Sequence, residues 1–176
     1  MKSTLMIKKA TRFLLSAIIV LLVTSGTFAQ QANVLTAFTG KWEIDMKKTD
    51  FERVRVPIWL LPRSVEIKQK KEVVVIDSKW YDQQMKQHYY TEYLPLSGSS
   101  YELILANGGK RVVSLNPNNQ GTGFVLSVRM FKPDGDQDKD FTETWAMEDN
   151  GKTLTIDRKA QQANDYSIKA YYNKIK

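Results

Sequence analysis

The 176-residue chain contains no cysteine. That excludes disulfides, thiolate-held zinc and any Cys–His nucleophile, so stability has to come from the core. A lipid anchor attached through cysteine is excluded with them. There is one histidine, His88, which rules out a histidine-built metal site and leaves any Ser–His arrangement resting on a single residue. It lies in QHYYTEY, among strand aromatics and near Glu92; a lone histidine there is most often structural. Membrane-spanning length is also lacking. The apolar run Phe13 to Val23, FLLSAIIVLLV, has eleven residues, against the roughly 20 that a helical span needs. After residue 30 no amphipathic helix of three turns can be traced.

What stands at the start has the layout of an export signal. Lys2, Lys8, Lys9 and Arg12 form a basic segment, the apolar run follows, and SGTFAQ supplies a cleavage site between Ala29 and Gln30. Removing residues 1–29 takes four of the 26 basic residues and none of the 19 acidic ones, leaving a net charge of +3 instead of +7. Most of the apparent basicity therefore belongs to the signal, and nucleic acid is not expected as a partner. The remainder, 30–176, fits one domain that buries roughly 70% of its unfolded surface. Export points to a periplasmic or secreted location.

From residue 40 onward nearly every segment alternates apolar and polar, separated by turn residues. GKWEIDM (40–46) sets Trp42, Ile44 and Met46 on one face and Lys41, Glu43 and Asp45 on the other. SVEIKQ (64–69), EVVVIDSKWYD (72–82), QHYYTEYLPL (87–96), YELILA (101–106), RVVSLN (111–116), GFVLSVRMFK (123–132), FTETWAMED (141–149), KTLTIDRKA (152–160) and YSIKAYYNKI (166–175) continue the pattern. Such a run of hairpins needs its edges removed, which closure does. The expected fold is all-β: a single antiparallel up-and-down barrel of about 8–10 strands, with a two-sheet sandwich as the rival. KQKK (68–71) reads as a solvated turn. PDGDQDKD (133–140) places carboxylates at alternate positions but lacks the glycine and glutamate of a calcium loop, so it reads as a hairpin turn. A transmembrane barrel is excluded because Lys41, Glu43, Asp45, Glu66 and Lys68 occupy outward positions.

Asn150-Gly151 allows a sharper step. In a two- or four-residue turn centred there, Met147 faces Leu154, Trp145 faces Ile156 and Glu143 faces Arg158. All six share one side of the sheet, and the apolar pairs identify it as the interior. Glu143 and Arg158 then form a buried, opposed pair. Two readings stay open: a structural ion pair, or a polar anchor in the wall of a ligand cavity. Glu92 and Glu143 are the carboxylates that strands could juxtapose for glycoside hydrolysis, with nothing specific in favour of it.

TGKW (39–42) resembles the G-x-W entry of the lipocalin and fatty-acid-binding (calycin) superfamily, and Trp42 matches the tryptophan that plugs one barrel end there. GKWEIDMKKTDF and DNGKTLTIDR together resemble the small exported bacterial lipocalin-like proteins. Calycins usually place an arginine of the last strand over the plug tryptophan. The last strand here has only Lys169 and Lys174, so the resemblance suggests Arg158 in that role.

RVRVPIWLLPR (53–63) falls where lipocalin-like barrels carry the long first loop over the cavity mouth. Pro57 and Pro62 prevent ladder pairing and suit a loop or short helical turn. Trp59, Leu60 and Leu61 are expected to point inward and Arg53, Arg55 and Arg63 to remain in solvent. This segment reads as a core cap, a ligand-gating lid, or a surface docking on membrane or partner. The resemblance implies a fold and a binding mode; taken with the residues above, the expectation is a monomer that binds a small, mostly apolar molecule, with no enzymatic role, cofactor or metal. The expected lining is Trp59, Leu103, Val128, Met130, Glu143, Trp145 and Arg158. The rival expectation is a fully packed barrel, serving as a cell-envelope module that binds protein or lipid through its loops.

Overall fold

The alternation becomes ten strands in a computed structural model, which describes residues 35–49, 51, 57–118, 122–162 and 165–176. The expected export signal and Arg53 and Arg55 lie outside the described residues. The strands are β1 (Gly40–Ile44), β2 (Ser64–Lys70), β3 (Val73–Tyr81), β4 (Gln87–Pro95), β5 (Tyr101–Ile104), β6 (Lys110–Pro117), β7 (Gly123–Phe131), β8 (Gln137–Glu148), β9 (Thr153–Ala160) and β10 (Ile168–Ile175). They form one antiparallel sheet in the order β4-β3-β2-β1-β10-β9-β8-β7-β6-β5, curled into a nearly closed up-and-down barrel. This is the expected architecture.

The predicted β8–β9 register holds at all three positions: Glu143 opposes Arg158, Trp145 opposes Ile156 and Met147 opposes Leu154. The turn is set by Asp149, Asn150 and Gly151, all with positive φ, which asparagine and glycine tolerate best. In the other predicted turns, the Leu105 N–H donates to the Gly109 carbonyl across Asn107-Gly108, and the Lys132 N–H to that of Asp136 across Pro133-Asp134-Gly135. KQKK is less of a turn than its charge suggests, since Lys68 to Lys70 belong to β2 and the chain reverses at Lys71 and Glu72.

The sheet's two ends, β4 and β5, meet at a seam that side chains bridge. Tyr101 Oη donates to the Thr91 carbonyl at 3.3 Å, and the Ala106 N–H to Tyr90 Oη at 3.4 Å. Tyr93 and Tyr101 meet edge to face, and Arg111 of β6 reaches Glu92 of β4.

One barrel end is filled. A helical turn over 35–38 brings in Leu35 and Phe38, both buried. Phe38 packs on Phe124, which stacks on Trp145. Trp42, with no exposed surface, donates Nε1–H to the Phe38 carbonyl at 2.9 Å. Lys174, not Arg158, covers Trp42, with Nζ 5.0 Å from the ring centroid. Gly40 makes room for it: a Cβ there would stand 2.8 Å from Lys174 Cε, and φ is +138°, a conformation essentially reserved for glycine.

Candidate functional site

The opposite end is hollow. A cavity of about 710 Å³ lies between the ends of β3, β5, β7 and β9, the starts of β4, β6 and β8, and the 3-10 turn Ile58–Leu60. Alternation explains the lining. On β3 and β4, Ser78 opposes Tyr90 and Trp80 opposes His88, and all four face inward with Glu92. Met130, Lys139 and Arg111 come from neighbouring register positions.

The first loop meets the cavity from above. Pro57 precedes the turn in an extended conformation and Leu61 follows it likewise. Leu61 is fully buried, and the Tyr172 hydroxyl donates to the Pro62 carbonyl at 2.9 Å. The loop is thus fixed at its C-terminal side. Trp59 and Leu60 line the cavity and are only partly buried. Core cap and cavity wall therefore divide within one short segment, Leu61 taking the first part and Trp59 and Leu60 the second.

The seven residues expected to line a cavity separate into two layers. Trp59, Leu103, Met130 and Arg158 line it. Val128, Glu143 and Trp145 lie deeper, each almost wholly buried. Glu143 supports the lining from below: its Oε1 accepts from Arg158 Nε at 3.0 Å and from an Arg158 terminal nitrogen at 2.6 Å. Its Oε2 accepts from Trp145 Nε1 at 3.2 Å. Burial pushes this carboxyl toward neutrality, but Arg158, Arg111 and the bonds from Arg158 and Trp145 outweigh it, holding the pKa below the ordinary glutamate value.

A second buried ion pair, which sequence reasoning missed, completes the floor. Arg111 Nε donates to Glu92 Oε1 at 2.8 Å, with side chains only 7% and 6% exposed. Burial works against the guanidinium, yet Glu92 and Glu143 raise its pKa above the ordinary arginine value. Both arginines converge on Phe141, with Cζ of Arg158 4.2 Å and Cζ of Arg111 5.9 Å from the ring centroid. The signal was available locally, because Arg111 alternates with Val113 and Leu115, and Glu92 with Leu94, all buried. Sequence proximity sets Glu92 near His88, but in the structure His88 Nε2 lies 2.8 Å from Asp82 Oδ2 at the rim. That bond, joined by the backbone N–H groups of Lys86 and Gln84, lowers the Asp82 pKa. Lys139, also at the rim, pairs with Asp165 at 3.4 Å.

In comparisons with known proteins, no family model, no curated sequence and no solved structure matches the chain. Fold and site define the class: a nearly closed, ten-stranded antiparallel β-barrel, compatible with a lipocalin-like fold, with one end filled and a cavity at the other.

Proposed function

We propose that this is an exported lipocalin-like protein that holds a small, mostly apolar molecule in the barrel cavity and has no catalytic role. The observation that carries the reading is the cavity itself: about 710 Å³, walled by Trp59, Leu60, Trp80, Leu103, Met130 and Phe141. Its size falls in the range of small-molecule sites, roughly 300–1,000 Å³, and its composition matches their mix of apolar walls and a few placed polar groups. A barrel serving only as a packed support for its loops would have little reason to keep this space open, since unfilled volume lined by apolar groups costs stability.

Native mass spectrometry of the protein purified from an exporting host, followed by solvent extraction, tests the reading. An extracted lipid-like or terpenoid mass supports it. A clean apo mass, together with failure to take up any apolar fluorescent probe, overturns it. The same spectrum tests the expected monomer and the cleavage after Ala29.

A further inference from the structure

An asparagine followed by glycine can close on itself, because glycine puts no side chain in the way of its own backbone nitrogen. The chain has two such pairs, Asn107-Gly108 and Asn150-Gly151. Both sit in hairpin turns, and the turns differ in what they leave free.

In the turn between β5 and β6, the Gly108 N–H donates to the Leu105 carbonyl at 2.9 Å. The Gly109 N–H donates to Asn107 Oδ1 at 3.0 Å. The attacking nitrogen and the side-chain amide that it would attack are both held. In the turn between β8 and β9 the closing bond runs from the Lys152 N–H to the Asp149 carbonyl at 3.3 Å, and so passes over Gly151. Among the described residues the Gly151 N–H has no acceptor and the exposed Asn150 side chain no hydrogen-bond partner.

Backbone shape separates the two further. Asn150 has φ 54° and ψ 40°, and Gly151 has φ 83°, the central pair of a type I′ turn. Type II′ differs from it by a flip of the peptide unit joining these two residues, which takes ψ of the first to about −120° while its φ stays at about +60°. That geometry sets the glycine nitrogen against the asparagine side-chain carbonyl. Asn150 already has the φ it needs, and glycine accepts the flipped position. Both turn types serve tight hairpins, so β8 and β9 stay paired throughout. Asn107 lies outside the positive-φ region, and closure there has to break the Gly108–Leu105 bond.

We propose that Asn150 is a site of self-modification in the folded protein. The Gly151 nitrogen attacks Asn150 Cγ and an N–C bond forms; the side-chain amide leaves with the glycine proton as ammonia. The resulting cyclic imide takes up water. Opening at the side-chain carbonyl gives aspartate, and opening at the main-chain carbonyl gives isoaspartate, whose backbone runs through Cβ and Cγ. Either product adds a negative charge beside Asp149. Isoaspartate also lengthens by one methylene the loop that sets the β8–β9 register. The turn lies at the filled end of the barrel, away from the Lys139, Phe141 and Arg158 part of the cavity lining.

Hydroxylamine reads the imide directly, because it opens the ring and cuts the chain there. The protein is held folded at mildly alkaline pH with hydroxylamine, folding being checked by circular dichroism, beside a sample unfolded in urea. In urea both pairs should be cut at similar rates. In the folded protein the cut after Asn150 is expected to run about tenfold or more faster than the cut after Asn107, the rate equivalent of the hydrogen bond that closure at Asn107 must break. Without hydroxylamine, peptide mass spectrometry should show the Asn150 peptide turning into two products of equal mass, aspartate and isoaspartate. Asn150→Gly keeps the turn and removes the side-chain amide, so it should abolish the cut there and leave the one after Asn107 unchanged. Equal rates in the folded protein, or a faster cut after Asn107, would overturn the assignment. So would an intact Asn150-Gly151 bond over the time in which the unfolded sample is cut.

Discussion

Glu143 shows how a single side chain ties the fold to the cavity. It serves three N–H donors, two from Arg158 and one from Trp145, with almost no exposure of its own. Replacing it with alanine strands a buried guanidinium and a buried indole N–H. Glu143→Ala is therefore expected to cost about 3–5 kcal/mol, the usual penalty for breaking a buried pair on one side. Glu143→Leu with Arg158→Met removes both charges and substitutes side chains of comparable bulk. It should recover most of that loss, because a hydrophobic replacement of a buried ion pair is often neutral or stabilising. Urea denaturation of the two variants decides; equal destabilisation would mean that the loss comes from packing, not from the stranded charge.

Elements divide sharply in how far alternation reveals them. β8 and β9 were readable to the residue, because a short Asn-Gly turn fixes register and register fixes facing. The Arg111–Glu92 pair was not, although each residue's inward position followed from its own strand. β4 and β6 are joined by no single hairpin, and they meet only because the sheet closes on itself, a long-range consequence of curvature. The cavity was hidden for the same reason: alternation says which side faces in, but not which inward positions are filled from across the barrel. Val128 and Met130 show this, two residues apart on one face of β7, one packed under and the other lining the space.

The opening strand and the first loop carry their own tests. At Gly40 the positive φ sets the cost, since Lys174 Cε is the far end of a flexible chain and can move. Gly40→Ala should lose about 1–3 kcal/mol, and adding Lys174→Ala should not restore it. Restoration would show that steric contact with the lysine is what glycine avoids. For the loop, Trp59→Ala is expected to weaken binding of an apolar fluorescent probe several-fold while thermal stability changes little, because Leu61, not Trp59, is the buried member of the segment. A large fall in melting temperature with unchanged probe affinity would make Trp59 a core cap.

At the scale of the whole molecule, acid should unfold the protein through its carboxylates. Glu143, Asp45 and Asp77 all have lowered pKa values. For Asp77 the first cause is the Thr91 hydroxyl, which donates from β4 at 2.6 Å. For Asp45 it is the backbone N–H of Lys48, followed by Asn173. Groups with depressed folded values contribute stability above their unfolded values, about 3.9 for Asp and 4.3 for Glu, and lose it as pH falls through the folded ones. Melting temperature should thus be flat above about pH 5 and fall steeply below about pH 4. The Glu143→Leu/Arg158→Met variant should show a shallower fall. An identical slope would assign the acid sensitivity to the surface aspartates alone.

Closure is the property that no single strand carries. β4 and β5 end the sheet, and the bridges across their seam include two tyrosine hydroxyls, a ring contact and the Arg111–Glu92 pair. Outside the seam, Tyr89 and Ile104 are 70% and 66% exposed, so little apolar burial covers it. Local opening is drawn to regions with few buried contacts, and this seam is the weakest join in the barrel. Amide hydrogen exchange should be faster in β4 and β5 than in β7, β8 and β9, and a Glu92→Gln/Arg111→Gln variant should accelerate β4 and β5 selectively. Uniform acceleration across all strands would show instead that the ion pair supports the barrel globally and that the seam does not open by itself.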